Sequence, residues 1–441
     1  MFNLPDAVVS ALALLCAAGA ECYIVGGCVR DLLMGREPHD WDITTNAEPH
    51  EVIEVFRDYR VIETGIDHGT VTVLLGGSAL EITTYRVDGQ YSDNRHPDSV
   101  SYTRSLSEDL SRRDFTINAI AYSPEIGLVD LFGGQEDIKN GIIRCVGEAS
   151  KRFDEDALRI LRALRFSSTL GFEIEEKTAA ALLQKSLLLK NVSAERINVE
   201  LTKLLCGNGV GRVLREYKGV LAVPVPELVP MFGFDQKNRH HCYDVWLHTI
   251  ITIEALPAIA ELRWAALFHD IGKPASFSTD EHGEGHFYGH APAGCEIADT
   301  VMRRLRFSNT SREWILQLVK NHDVTIGTDE KRVKRWLGRF GEEFIRQLTA
   351  LKRADNLAQS ENYRERQLLI NAVEALVDDL IARQECVSLR DLAVNGDDLL
   401  ALGYKGKTVG DALQMLLDAV IDENVPNERD ALLGWLDESG M

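Results

Sequence analysis

The sequence predicts a multidomain protein in which an α/β head is followed by all-α regions. Residues 1 to about 145 alternate helix-like pieces with short β-branched runs that are bounded by glycine. From about residue 150 onward, apolar residues recur at helical spacing and only short breaks interrupt them. A chain of 441 residues is long enough for several domains, each with its own core.

The head is expected to begin with a helix over residues 7–20, because this apolar stretch follows Asp6 and lacks the positive flank of a signal peptide. Glycine-bounded strands are predicted at 23–25, 62–64, 70–75 and 80–86. Residues 89–97 read G-Q-Y-S-D-N-R-H-P, which predicts a mobile polar loop.

The change in periodicity and a proline-rich break near residue 225 divide the chain into four predicted regions. They are a head at 1–145, a helical neck at 146–225, a second all-α domain at 226–385 and a helical tail at 386–441. Gly207, Gly209 and Gly211 imitate a dinucleotide-binding motif, but they are predicted to lie between helices and to form a hinge or a turn.

The net charge and the cysteine content argue against several classes of protein. The net charge of −20 argues against a nonspecific nucleic-acid-binding protein, so a nucleic-acid ligand would need a local basic patch. Eight cysteines without a C-x-x-C pair indicate neither a disulfide framework nor a zinc ribbon, and they favour a reducing cytoplasm. The absence of a run of about eighteen apolar residues predicts no membrane span.

Residues 25–45 contain two aspartates one residue apart, Asp40 and Asp42, just before a β-branched run. If both lie on one strand, their side chains share a face of the sheet. Carboxylates held this close repel one another unless a cation lies between them. Oxygen ligands of this kind suit Mg²⁺, which shares its remaining positions with water and substrate phosphates. The pair therefore predicts a magnesium site.

The same segment carries a phosphate-binding pattern. Gly26 and Gly27 close an apolar strand and let backbone amides approach a phosphate, which Arg30 can neutralise. Gly-Gly and D-x-D are each frequent by chance. In this order after a strand, they indicate metal-assisted phosphoryl or nucleotidyl transfer.

Two further segments supply cations. Residues 111–119 read S-R-R-D-F-T-I-N-A and place Arg113 in the same domain as the carboxylates. Residues 153–172 read F-D-E-D-A-L-R-I-L-R-A-L-R-F-S-S-T-L-G-F, which predicts one helix with Asp156 in its first turn. Its arginines recur every three residues, at Arg159, Arg162 and Arg165. Asp156 and Arg159 are expected side by side, where an acid and a guanidinium match the edge of cytosine or adenine.

Four of these motifs, G-G-C-V-R-D, D-W-D, R-R-D-F-T-I-N-A and E-D-A-L-R-I-L-R-A-L-R-F, occur in the order found in a known family. The chain resembles class II tRNA nucleotidyltransferases, the CCA-adding enzymes, which belong with bacterial poly(A) polymerases to the polymerase β superfamily. The resemblance covers the first 200 residues and includes E-R-I-N-V-E at 195–200. It implies a polymerase β-like nucleotidyltransferase head and a helical neck. It also implies template-independent addition of CCA to the tRNA 3′ end from CTP and ATP.

The resemblance also implies roles for individual residues. Asp40 and Asp42 would hold catalytic Mg²⁺. The triphosphate would be bound by Gly27, Arg30 and Arg113. The base would be read by Asp156 and Arg159, with Arg162 and Arg165 completing the nucleotide site. Glu81, on a predicted strand, is either a third carboxylate or part of a strand-edge salt bridge.

Two local features bear on the product. T-G-I-D-H-G-T-V-T-V at 64–73 resembles the CCA-adding pattern, and the basic G-R/K-R-F stretch of poly(A) polymerases is missing near this place. R-H-P at 95–97 resembles part of the flexible loop that A-addition needs. These features favour full CCA addition. An enzyme that adds A alone, or a poly(A) polymerase, stays an alternative.

A second pattern, H…HD…H…H…D, spans residues 248–355 and resembles the HD phosphohydrolase superfamily, an all-α fold that binds divalent metal. The implied ligands are His248, His269, Asp270, His290, His322 and Asp355. Mixed nitrogen and oxygen ligation suits a transition metal better than Mg²⁺. Asp270 would bridge or bind metal and Lys273 would face phosphate. This region is either a phosphohydrolase or a scaffold. Residues 392–433, in the predicted tail, resemble the tRNA-contacting helical segment of CCA-adding enzymes that carry such a domain, which implies a tRNA-binding tail.

Two rival functions use the same motifs differently. One is a phosphohydrolase whose head recognises nucleotides without transferring them. The other is a nonenzymatic RNA-binding protein, which is disfavoured because adjacent carboxylates carry an electrostatic cost. The expected partners are tRNA, CTP and ATP, with neither a membrane nor DNA.

Overall fold

The structure, a computed structural model, describes residues 2–89 and 99–438 and divides into two compact units, residues 1–226 and 227–441. The first unit contains a mixed sheet and the second is predominantly helical. The predicted fold class, an α/β head followed by a large helical body, is confirmed. The four-region scheme stays a prediction, and positions 90–97 of the expected mobile loop lie outside the described residues.

The strands of the first unit are β1 Cys22–Val25, β2 Asp42–Thr45, β3 Arg60–Ile62, β4 Thr70–Leu75, β5 Ser78–Thr84, β6 Arg86–Asp88, β7 Val100–Tyr102, β8 Ile120–Ser123, β9 Gly127–Asp130, β10 Ile142–Ile143 and β11 Glu173–Ile174. Its helices are α1 Asp6–Ala17, α2 Gly27–Leu33, α3 Pro49–Val55, α4 Leu106–Ser111, α5 Gly134–Asn140, α6 Ala149–Glu155, α7 Leu158–Leu170, α8 Glu176–Lys185, α9 Ala194–Leu205, α10 Val210–Glu216 and α11 Lys218–Leu221.

The main sheet runs in the order β3-β4-β5-β2-β1-β8-β9. Its pairings are antiparallel except for β2 with β5, which run parallel. Along β4, buried and partly exposed residues alternate, as a strand with one covered face requires. Apolar side chains of α1, among them Val8 and Leu15, belong to the same core as Ile24 and Ile43 of the central strands. The sheet thereby fixes the ends of β1 and β2, where the predicted site residues lie.

The second unit contains β12 Ser278–Thr279, β13 Gly285–His286 and the helices α12 Val245–Glu254, α13 Ala260–Phe268, α14 His290–Arg304, α15 Asn309–Asn321, α16 Glu330–Phe340, α17 Glu342–Leu357, α18 Arg366–Ala382, α19 Gly396–Ala401, α20 Lys407–Ile421 and α21 Arg429–Glu438. The last three helices share an apolar core that includes Leu399, Leu416 and Leu432. None of the described helices combines the length and hydropathy needed to cross a bilayer.

Gly207 lies in the turn between α9 and α10, as predicted, whereas Gly211 lies inside α10. Gly207 also permits a close approach to α7. A Cβ atom at this position would lie 2.2 Å from Ser168 Oγ and 2.5 Å from the Ser168 carbonyl carbon. The Ser168 hydroxyl donates to the Leu204 carbonyl at 2.6 Å, so this serine cannot turn away without breaking a buried hydrogen bond.

Gly207→Ala should therefore destabilise the first unit by about 1–3 kcal/mol, because the backbone must shift to admit the methyl group. Gly219→Ala is the matched control, since a Cβ there meets nothing within 4 Å. Urea unfolding monitored by circular dichroism measures both variants. Equal unfolding midpoints would contradict the close approach.

Candidate active site and metal centre

Two carboxylates of the head meet across the parallel strand pair. Asp42 opens β2, and its register partner on β5 is Glu81. Asp40 lies in a bend before the strand, so the prediction that both aspartates sit on one strand is wrong. The physical reason is the antiparallel pairing of β1 with β2, in which Ile24 is opposite Ile43. Because β1 ends at Val25, the residues before Asp42 have no β1 residue to pair with.

The carboxylates nevertheless act on one another electrostatically. Burial raises the pKa of Asp42, Arg113 opposes the rise, and Glu81 and Asp40 add to it by repulsion. Glu81 forms no salt bridge with any residue that the structure describes, and β5 is an internal strand, which argues against the strand-edge salt bridge. An all-oxygen donor set of three carboxylates fits a magnesium ion. In the described chain these three do not bring one oxygen each within 4.8 Å of one another.

Gly26 provides the close approach that a phosphate site needs. Its φ is +82°, a left-handed conformation that favours glycine. A Cβ atom there would lie 3.4 Å from Arg113 Nη1 and 3.8 Å from Asp42 Oδ2, so the glycine backbone borders both a cation and a carboxylate. Gly27 begins α2, and a Cβ on it would lie 3.7 Å from Arg30 Nη2. The structure thus brings together Gly26, Gly27, Arg30, Arg113 and Asp42.

Phe166 lies among the predicted nucleotide-site residues, although the sequence did not single it out. Its buried ring faces three guanidinium groups, with the Cζ atoms of Arg30, Arg162 and Arg165 at 5.2, 5.3 and 3.9 Å from the ring centroid. Arg30 Nη1 also donates to Asn118 Oδ1 at 2.8 Å. The aromatic ring therefore gathers cations from α2 and α7. A phenylalanine inside an apolar helical pattern gives no sequence signal for this role.

The predicted helix over 153–172 is broken. α6 ends at Glu155 and α7 begins at Leu158, with Asp156 in an extended conformation between them. The acids 154–156 therefore do not occupy the first turn of a helix, and the dipole argument for them is wrong. The Asp156 side chain accepts from the Leu158 amide at 3.1 Å, which competes with a continuous helix.

Asp156 and Arg159 have different ion-pair partners. Asp156 Oδ2 accepts from Arg196 at 2.9 Å, and Arg159 Nη1 donates to Glu155 Oε2 at 2.8 Å. Arg159 Nη2 donates to the Arg112 carbonyl at 2.8 Å. Because the break places Asp156 outside both helices, the two predicted base-reading side chains are held by different partners. Arg196 belongs to the E-R-I-N-V-E segment.

The other two arginines of α7 are held by buried acids. Arg162 donates twice to Asp114 Oδ2, at 2.8 and 2.6 Å. Arg165 Nε donates to Glu200 Oε2 at 2.6 Å, and Arg162 Nη1 lies 3.8 Å from Glu200 Oε1. The neck thus fixes its guanidinium groups in place beside the head motif that contains Asp114.

In the second unit, the six predicted metal ligands converge. His248 Nε2 lies 2.9 Å from Asp355 Oδ1 and 3.3 Å from Asp270 Oδ2, and His269 Nε2 lies 3.2 Å from the same Asp270 oxygen. His290 and His322 face the other oxygen of Asp270, at 3.7 and 3.8 Å. Asp270 therefore stands between two groups of ligands, His248 with His269 and His290 with His322. This cluster of six is called the histidine–aspartate cluster below.

Hydrogen bonds orient the four imidazoles of the cluster toward its centre. Each Nδ1 lies next to a backbone carbonyl, at 3.2 Å for His248, 2.7 Å for His269, 2.9 Å for His290 and 2.7 Å for His322. If each Nδ1 donates to its carbonyl, each Nε2 presents a lone pair. The Nε2 atoms of His290 and His322 are then 3.1 Å apart with no proton between them, an arrangement that a bound cation relieves.

The burial of the cluster also favours metal binding. Burial, followed by the neighbouring His269, lowers the pKa of His322 to about 3, so this imidazole stays neutral and able to ligate. Asp270 Oδ2 is buried and accepts no well-aligned hydrogen bond from the described residues. Lys273 Nζ lies 2.7 Å from that oxygen and donates to Gln236 Oε1 at 2.8 Å. The predicted phosphate contact of Lys273 therefore competes with an internal ion pair.

Three family models match separate parts of the chain. The Poly A polymerase head domain matches residues 22–144, the RNA and SrmB-binding site of polymerase A matches 171–228, and tRNA nucleotidyltransferase domain 2 matches 293–436. The CCA-adding enzyme of Lactobacillus helveticus is 36% identical over 441 residues, which cover 99% of this chain and 98% of the relative. The chain belongs to the CCA-adding enzyme family. The CCA-adding enzyme of Lactiplantibacillus plantarum is 37% identical, with 95% and 92% of the two chains covered.

The fold agrees with that of a CCA-adding enzyme of known structure. The Bacillus stearothermophilus CCA-adding enzyme, solved in complex with CTP, superposes with a TM-score of 0.71 and 30% identity. The match covers 99% of this chain and 97% of that one. The family resemblance predicted from the four motifs is confirmed over nearly the whole length.

The buried Asp114–Arg162 pair makes a pH-dependent contribution to stability. Although burial opposes ionisation, Arg162 lowers the pKa of Asp114 to about 2, below the value near 4 of an unfolded chain. The stabilisation is therefore fully present above pH 4 and is lost as the pH falls through 2. Asp114→Asn should lower the free energy of unfolding by about 2 kcal/mol at pH 7, with a smaller difference at pH 3.

Urea titrations at the two pH values measure this difference, and Asp58→Asn, at an exposed aspartate of the same unit, is the control. A deficit in Asp114→Asn that is as large at pH 3 as at pH 7 would contradict the assignment.

Proposed function

We propose that this chain is a tRNA nucleotidyltransferase that adds CCA to the 3′ end of tRNA from CTP and ATP. The proposal rests on the proximity of Gly26, which follows β1, Asp42, which opens β2, and Arg113, with Glu81 of β5 in register with Asp42. It also rests on the similarity of the chain to CCA-adding enzymes along its length. The relative solved with CTP supports a nucleoside triphosphate as the substrate.

In this proposal, Asp40 and Asp42 hold the divalent metal, with Glu81 beside them. Bound Mg²⁺ would supply Lewis-acid stabilisation for attack of the tRNA 3′-hydroxyl on the α-phosphate and for departure of pyrophosphate. Gly27, Arg30 and Arg113 bind the triphosphate. The Arg113 guanidinium is anchored by Asp109, whose Oδ2 accepts from Arg113 Nη2 at 3.2 Å, so it is positioned before the nucleotide arrives.

The neck selects the nucleotide. Asp156 accepts from the exocyclic amine of cytosine or adenine and Arg159 donates to ring acceptors, while Arg162 and Arg165 complete the site. Because Asp156 is held by Arg196 and Arg159 by Glu155, the two groups are oriented independently of each other. Independent orientation suits a site that accepts two bases of different size. The regions 1–145, 146–225, 226–385 and 386–441 are the head, neck, second domain and tRNA-binding tail of the proposal.

Relatives named CCA-adding enzymes favour full CCA addition over A-addition alone or poly(A) synthesis. Sequencing the 3′ ends made from CTP and ATP, supplied separately and together, distinguishes these products. The reducing cytoplasm predicted from the cysteines stays a prediction.

Asp42→Asn should lower CMP and AMP incorporation by about a thousandfold or more, because transition-state charge loses several kcal/mol of stabilisation. Glu81→Gln should lower incorporation by a smaller factor. Incorporation of labelled nucleotide into tRNA that lacks its 3′ end measures the activity, and gel-shift binding of the same tRNA should persist. Asp58→Asn is the control, and near-normal incorporation by Asp42→Asn would sink the assignment.

We infer a second activity for the histidine–aspartate cluster, a metal-dependent phosphohydrolase. This inference rests on the observation that four histidine Nε2 atoms and two carboxylates face one another in the buried core of the second unit. His248, His269 and Asp355 would hold one transition-metal ion and His290 with His322 a second, with Asp270 shared between them. Bound metal would supply an activated water for a phosphoester. A phosphohydrolase with a head that only binds nucleotides is less favoured, because Asp42 and Glu81 stay paired in register.

His269→Ala should reduce the transition-metal content of the purified chain and abolish hydrolysis of bis-p-nitrophenyl phosphate. His50→Ala is the matched control, since the His50 side chain is 75% exposed and outside the cluster. Elemental analysis by mass spectrometry measures the metal. Equal metal content in His269→Ala and the parent would contradict metal binding by the histidine–aspartate cluster.

A further inference from the structure

Two thiols of the first unit face one another at the turn between α1 and β1. Cys16 lies in the last turn of α1 and Cys22 opens β1, and their Sγ atoms are 3.6 Å apart. Cys16 is exposed, whereas Cys22 is 3% exposed. Neither the proposed nucleotide transfer nor the histidine–aspartate cluster uses this pair, so its close contact calls for a separate explanation.

Hydrogen bonds fix the direction of the two side chains. The Cys22 thiol donates to the Leu12 carbonyl of α1 at 3.5 Å, which directs its sulfur toward the helix. Since that bond uses the one proton of the Cys22 thiol, the Cys16 thiol is the donor in the contact between the two sulfurs. Cys16 is therefore both exposed to solvent and directed at a second thiol.

The backbone holds Cys22 more firmly than Cys16. Cys22 is paired with Thr45 of β2, and β1 is also paired with β8 on its other side. α1 instead ends in a turn in which Gly19 has a φ of +82°. The sulfurs must approach by about 1.5 Å to reach the length of a disulfide bond. Rotation of the exposed Cys16 side chain can supply that approach while β1 keeps its place in the sheet.

The difference in burial gives the two thiols different chemistry. Burial raises the pKa of the Cys22 thiol, so Cys22 stays protonated and out of reach of an oxidant in solution. Exposure therefore makes Cys16 the thiol that meets the oxidant. Cys22 is the resolving thiol, because a sulfur held in contact with Cys16 has a high effective concentration that offsets its scarce thiolate.

We propose that Cys16 and Cys22 form a site of reversible oxidation, at which hydrogen peroxide converts the two thiols into a disulfide between α1 and β1. In the first step, the Cys16 sulfur attacks peroxide, the O–O bond breaks, and the products are Cys16 sulfenic acid and water. In the second step, the Cys22 sulfur attacks the sulfenic sulfur, the S–O bond breaks, and the hydroxyl leaves as water with the proton of Cys22.

The two steps balance and protect Cys16. The thiols together lose two electrons and two protons, and one peroxide is reduced to two molecules of water. A dithiol reductant reverses the link by thiol–disulfide exchange. Because the disulfide consumes the sulfenic acid, Cys16 does not proceed to the irreversible sulfinic and sulfonic acids.

The test treats the reduced full chain with hydrogen peroxide, blocks the remaining thiols with iodoacetamide and maps disulfides by mass spectrometry after digestion with endoproteinase Glu-C and trypsin. Cleavage after Glu21 places the two cysteines on separate peptides, which only a disulfide joins. The linked pair should be the main oxidised product and should disappear after dithiothreitol. Cys16→Ser should lower its yield about tenfold or more, because the first thiol to be oxidised is gone.

Cys28→Ser is the matched control, because Cys28 is a second buried thiol close in sequence, and its sulfur donates to the Val25 carbonyl at 3.3 Å. The linked peptides should persist in this variant. Dimedone, which traps sulfenic acids, tests the order of the steps. It should label Cys16 in Cys22→Ala, where no resolving thiol remains, and it should leave Cys22 unlabelled in Cys16→Ser.

Three outcomes would overturn the site: no linked peptides from the parent, a link from Cys16 to a cysteine other than Cys22, or a link between two chains. Dimedone on Cys22 in Cys16→Ser would overturn the assigned order. These readouts require no nucleotide transfer, so they stand or fall separately from the proposed function.

Discussion

The parallel pairing of β2 with β5 is the constraint on which the head depends. It places Asp42 in register with Glu81, and burial together with Glu81 and Asp40 raises the pKa of Asp42. Carboxylates brought together by a sheet cannot relax apart without breaking backbone hydrogen bonds. The repulsion of Asp42 by Glu81 and Asp40 therefore persists in the folded chain, and Arg113 offsets only part of it. A cation is the natural complement of such an arrangement.

Buried acids likewise fix the arginines of the proposed nucleotide site. Arg162 and Arg165 are held by Asp114 and Glu200, while the Phe166 ring gathers both with Arg30. Guanidinium groups fixed in this way lose little side-chain freedom when a triphosphate binds. Asp114 and Glu200 therefore position the guanidinium groups that are proposed to bind the nucleotide.

In the histidine–aspartate cluster the imidazoles are aimed inward, and their surroundings shift their pKa values in opposite directions. Although burial opposes it, Asp270 raises the pKa of His269, whereas burial lowers that of His322. Backbone carbonyls at the Nδ1 atoms fix the ring orientations, and burial disfavours the imidazolium form of His322. Helix ends supply three of the four histidines: His269 and His322 follow α13 and α15, and His290 begins α14. The backbone groups at a helix end lack partners within the helix, so they can bond to a side chain located there. A histidine at a helix end can therefore be oriented without interrupting the helix.

The sequence by itself determined the fold class, an α/β head followed by a helical body, and it identified the residues that converge in the histidine–aspartate cluster. Alternation and helical periodicity are local properties, and motifs such as D-W-D and H-D carry their chemistry in adjacent residues. Only the tertiary structure decided that Asp40 precedes the strand, that the helix breaks at Asp156, and that Arg196 and Phe166 join the site. These outcomes depend on where β1 ends and on contacts between distant segments, and such contacts leave no periodic trace in the chain.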